Sequence, residues 1–60
     1  MIVRKNIKEF ITANGASTET SIVAACVAQG AKERRVERVI ERMTRHGKLV
    51  KSGENYDLAP

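Results

Sequence analysis

Val36–Leu58 reads VERVIERMTRHGKLVKSGENYDL, and its periodicity changes once, at Gly47. Before the glycine, Val36, Val39, Ile40 and Met43 recur at three- and four-residue intervals, which at about 100° per residue is one face of a helix. After it, Lys48, Leu49, Val50 and Lys51 and then Tyr56, Asp57 and Leu58 alternate on either side of Ser52-Gly53-Glu54-Asn55, the pattern of two short strands joined by a glycine-containing turn. A helix over about 32–46, with Lys32 at or near its cap, is expected to run directly into a hairpin over about 48–58.

Upstream, Gly30 stops a helix expected over about 18–29. Ser17 or Thr18 can cap it, and Glu19 falls in its electropositive first turn. Ile22, Val23, Cys26 and Val27 form its expected buried face, while the small Ala24, Ala25 and Ala28 would let a neighbouring helix come close. Val3, Ile7, Phe10 and Ile11 mark a first helix over about 3–14 that ends at Asn14-Gly15; a capping box of Asn6 and Glu9 would instead start it at residue 6. Asn-Gly can also turn a hairpin, but the residues before it are spaced as a helix. With no repeat, low-complexity run or linker, residues 1–60 read as one domain of class α+β, mainly α, with three helices followed by two strands.

A chain of 60 residues buries only about 60% of its unfolded surface, which argues against a deep substrate pocket. Phe10 and Tyr56 are its only aromatic residues, so the core must come from aliphatic and sulfur-bearing side chains, and a platform for stacking bases is absent. Cys26 is the single cysteine, set in the apolar run IVAACVA; no internal disulfide can form, and a buried thiol in a reducing compartment is the simplest reading. No run reaches the roughly 18 apolar residues of a membrane span, and the N-terminus lacks a signal-like apolar stretch. A cytoplasmic protein without membrane attachment is expected.

The formal net charge is +4, and residues 31–46 alone carry +3 of it. Wound as a helix, this segment sorts its side chains into lengthwise stripes. Glu33, Glu37 and Glu41 line one flank of the apolar face, and Arg34, Arg35, Arg38, Arg42 and Arg45 cover the far side. Arg34/Arg38, Arg38/Arg42, Glu33/Glu37 and Glu37/Glu41 are like-charge pairs four residues apart, each costing an isolated helix about 0.2–0.5 kcal/mol. A helix selected only for stability would alternate its signs. All five cations of the stripe are arginine, whose planar fork grips phosphate or the guanine edge in bidentate fashion. Arg4, Lys5 and Lys8 form a second, smaller basic cluster, and Ser17, Thr18, Thr20 and Ser21 offer hydroxyls near the start of the second helix.

Three helices followed by a hairpin, with the third helix amphipathic and basic, resemble the winged helix-turn-helix family. In Val36–Leu58, the residues Val36, Val39, Ile40 and Met43 look like that family's core positions on its third helix, Gly47 like the turn into the wing, and Leu49, Tyr56 and Leu58 like the inward strand residues. The resemblance implies double-stranded DNA as partner, with the third helix in the major groove and a two-stranded wing beside it. Carried over by position, Lys32, Arg34, Arg35 and Arg38 would reach deepest, Arg42 and Arg45 would clamp phosphates, and Lys51 would serve the wing, whose tip at residues 52–55 carries little positive charge. A small transcriptional or replication-associated regulator is the implied function. The glutamate flank would have to be kept aside from DNA or paired.

Catalytic chemistry lacks its parts. His46 is the only histidine, so neither a Ser-His-Asp arrangement nor a zinc site can be assembled, and no glycine-rich phosphate loop occurs. No enzyme activity, cofactor or metal is expected. His46 instead suits the negative end of the third helix. The competing reading is a protein-interaction module, an adaptor or inhibitor that turns the same arginines to an acidic protein surface. A monomer or a weak homodimer is expected, because no further helix or heptad offers a dimer contact.

Overall fold

The computed structural model describes residues 2–60. Three helices, α1 (Val3–Asn14), α2 (Glu19–Ala28) and α3 (Glu33–Arg45), are accompanied by three strands, β1 (Ser17–Thr18), β2 (Leu49–Ser52) and β3 (Asn55–Leu58). The strands form one antiparallel sheet in the order β1-β3-β2. The class is α+β, mainly α, consistent with a winged-helix layout.

The chain leaves each helix at a glycine. At the end of α2, Gly30 (φ 104°) donates to the Val27 carbonyl at 2.9 Å and Ala31 donates to that of Cys26 at 3.1 Å. At the end of α3, Gly47 (φ 77°) donates to Thr44 at 3.1 Å and Lys48 to Met43 at 2.7 Å. Both are Schellman motifs, in which a left-handed residue, cheap only for glycine, satisfies the carbonyls that a helix end leaves open. The first aims α3 across α2, and the second turns the chain into β2.

Nine residues form the core: Val3, Ile7 and Ile11 of α1, Ile22 and Cys26 of α2, Val36, Ile40 and Met43 of α3, and Leu49 of β2. Phe10, Val23, Ala31, Val39, Tyr56 and Leu58 are partly buried against it. Among the described residues, no polar or charged residue is buried and no buried side-chain polar atom lacks a partner. Cys26 is buried with its thiol free, and burial raises its pKa above the ordinary 9.0. No helix of the described residues is long and apolar enough to cross a membrane.

The structure decides one alternative that the sequence left open and departs from the sequence reading in three places. The helix α1 spans Val3–Asn14, as its spacing predicts; Asn6 lies inside it, its N–H donating to the Ile2 carbonyl, so the alternative start at a capping box of Asn6 and Glu9 is not used. Burial of Val3 at 5% exposure rewards that extra first turn more than a cap worth about 1 kcal/mol. A third strand, β1, extends the expected hairpin by pairing Ser17 with Tyr56 and Thr18 with Asn55. Val27 is 42% exposed, because α2 meets its neighbours through the narrower line of Ile22 and Cys26. Ala24 and Ala28 are exposed too, so they do not mediate a close helix approach.

Candidate nucleic-acid interface

The helix α3 is held by Val36, Ile40 and Met43, which are at most 3% exposed. Those anchors fix its rotation, and every residue of the charged stripes lies exposed: Arg34, Arg35, Arg38, Arg42 and Arg45, and Glu33, Glu37 and Glu41. Lys32 is the exposed N-cap residue of α3 and makes no side-chain cap bond. At the other end, Arg42 and Arg45 occupy the last turn and His46 the C-cap, where positive charge meets the helix dipole favourably.

Despite three glutamates on the same helix, the described residues contain one ion pair, Arg45 Nη2 to Glu41 Oε1 at 2.8 Å, with both partners about 70% exposed or more. Arg34, Arg35, Arg38 and Arg42 have no carboxylate within ion-pair distance among the described residues. Lys51 leans over the Tyr56 ring, its Nζ 5.7 Å from the centroid, and the two residues face each other in the β2–β3 register. That contact tethers the one lysine of the wing at its cross-strand neighbour.

Four of the arginines border two different depressions. Arg34 and Arg38 line a cleft between α3 and the sheet that is bordered by Tyr56 and also by Glu19, Glu37 and Glu41. Arg35 and Arg42 line a separate groove on the α1 side, together with Arg4 and Lys48. All five arginines lie exposed on α3, and packing sets a different depression beside each edge of their stripe, with the start of α2 and β3 on one flank and the start of α1 on the other.

The hydroxyls near α2 are largely engaged in local structure. Thr18 Oγ1 accepts from the Ser21 N–H at 3.2 Å and donates to Ser21 Oγ at 3.0 Å, so Thr18 is both the N-cap of α2 and a residue of β1. Ser17 Oγ donates to the Gly15 carbonyl at 2.8 Å. Thr20 is exposed beside Thr18, Lys51 and Glu54 in a shallow depression between α2 and the wing. Of the basic cluster of α1, Arg4 borders the groove with Arg35 and Arg42, and Lys8 borders a depression near the C-terminal residues, with Lys48 shared by both. Among the described residues, no group of three or more His, Cys, Asp or Glu side chains is placed to hold a metal ion.

The exposed surface of α3 thus carries four guanidinium groups without an ion-pair partner among the described residues, on a helix anchored by its core face and flanked by a mixed-charge cleft and a basic groove. Comparison with protein-family models, curated proteins and solved structures finds no match to this chain.

Proposed function

We propose that the protein binds double-stranded DNA by docking α3 in the major groove and that it acts as a small transcriptional or replication-associated regulator. The observation that carries this reading is the set of four exposed arginines on α3 without an ion-pair partner among the described residues. A helix of 13 residues is about 20 Å long and fits a groove about 12 Å wide with its core face turned outward. Arg34 and Arg38 supply base-edge or inner phosphate contacts, with Lys32 at the leading end. Arg35 and Arg42 reach backbone phosphates along the α1 side, Arg45 does so once released from Glu41, and Lys51 contributes from the wing. Counterion release drives binding, so affinity falls steeply with salt.

The carboxylates of Glu19, Glu37 and Glu41 beside Arg34 and Arg38 favour a second reading, an interaction module whose mixed-charge cleft meets a protein partner. Titrating isotope-labelled protein with random duplex DNA separates the two. Shifts at the amides of residues 32–45 and around Lys51, growing as salt is lowered, support the duplex reading. No shifts at low salt eliminate it.

A further inference from the structure

From the groove between the start of α1 and the α1-facing flank of α3, we infer a docking site for an acidic protein segment that carries an apolar anchor. The groove has a volume of about 370 Å³, within the lower range of ligand-sized clefts. Its charged rim is Arg4, Arg35, Arg42 and Lys48, its floor includes Val39 and Met43, and among the described residues no carboxylate lines it. His46 lines it as well, and Ile2, 63% exposed, is its apolar lip. The rim is brought together from residues far apart in the chain by the packing of α1 on α3, so it is a product of the fold and not of one helix periodicity.

Its chemistry is two-part. Four cations without a carboxylate select an anionic partner. An apolar floor with an exposed isoleucine beside it rewards an aliphatic side chain, which a phosphate backbone does not bring. A second copy of this chain is a poor occupant, since its glutamates on α2 and α3 share their cleft with Arg34 and Arg38 and would bring those cations against the rim. An acidic peptide with one or two leucines satisfies both parts: carboxylates on the rim, leucine on the floor. The site does not rest on the duplex reading, but it shares Arg35 and Arg42 with the surface that reading uses, so duplex and acidic partner would compete for those two side chains, while Ile2, Arg4 and Lys48 belong to the groove alone.

The test is a titration of isotope-labelled protein with a short acidic peptide that carries two leucines one helical turn apart, and with a matched peptide in which both leucines are serine. Amide shifts confined to Ile2, Arg4, Arg35, Val39, Arg42 and Lys48, with the serine peptide binding about tenfold more weakly or worse, support the site. Ile2→Ser and Arg4→Gln are expected to weaken the leucine peptide several-fold each while leaving duplex affinity unchanged. Equal binding of the two peptides, or shifts centred on Arg34 and Arg38, overturns the inference. Displacement of the peptide by duplex, with duplex affinity reduced by Ile2→Ser and Arg4→Gln, also overturns it and makes the groove part of the nucleic-acid surface. Peptide binding as expected with no duplex binding would leave this site standing and eliminate the proposed DNA function.

Discussion

Ile40 is the middle one of the three buried residues that hold the charged face of α3 in place, and shortening it gives a sharp test of the fold. It is 1% exposed and belongs to the core formed with α1, α2 and β2. A domain of this length has a total stability of roughly 3–9 kcal/mol. Ile40→Val removes one methylene and leaves a small void, at a cost of about 0.5–1.5 kcal/mol. Because a domain of this size shifts its Tm by roughly 4–8 °C per kcal/mol, Ile40→Val should lower Tm by roughly 2–12 °C. Ile40→Ala removes most of the side chain for about 2–5 kcal/mol, only slightly offset by the better helix propensity of alanine, and should lower Tm by roughly 8–40 °C. Val50, 47% exposed on β2, is the control: Val50→Ala should change stability by no more than about 0.5 kcal/mol. Thermal and denaturant melts followed by far-UV circular dichroism measure all three. If Ile40→Ala melts within a degree or two of wild type, α3 is not packed through Ile40 and the orientation of its arginines is wrong.

Other perturbations probe separate parts of the account. Gly15, at φ 81° and ψ −169°, has open space where a side chain would stand, so Gly15→Ala should cost about 1–3 kcal/mol from backbone strain alone, read as a lower denaturation midpoint with an unchanged m-value. Burial raises the Cys26 pKa, so the folded state keeps its thiol proton where the unfolded state has lost it. Stability is therefore undiminished by this group below about pH 9 and declines as pH rises from there through the folded pKa, and Cys26→Ser should flatten that alkaline decline in pH-dependent melts. Glu41→Gln should free Arg45 and remove a negative charge from the α3 surface, tightening duplex binding and steepening its salt dependence by about one. The same change should leave stability within about 0.5 kcal/mol, because the pair is exposed.

The helix α3 and the hairpin after it were legible in the sequence because the period changes at a single glycine, and Gly30 and Gly47 both adopt the left-handed conformation that a helix stop requires. Thr18 was one of two caps the sequence allowed, and its hydroxyl accepts from Ser21. The strand β1 was not legible, since two residues are too few to show alternation and their partners, Tyr56 and Asn55, lie far along the chain. Helix periodicity also overstated the buried face of α2. It cannot say how wide a neighbour is, and in so small a domain Val27 is left outside. At the candidate site, composition and spacing point to the exposed arginines but not to the depressions that they border. Arg4 read as part of a cluster with Lys5 and Lys8, whereas packing sends it to Arg35 and Arg42. The division between cleft and groove depends on which element lies against each flank of α3, and only the tertiary structure contains that.

The claim that α3 is a DNA-docking helix is tested most directly by the salt dependence of duplex affinity for wild type and for Arg34→Ala/Arg38→Ala. Fluorescence anisotropy of a labelled random duplex across a salt series gives the slope of log affinity against log salt. Removal of two phosphate-contacting arginines should weaken binding at every salt concentration and reduce the slope by about 1.8, while removal of two base contacts should weaken a preferred sequence more than a random one. Wild type that fails to bind duplex at low salt, or a double variant with unchanged affinity and unchanged slope, would contradict it.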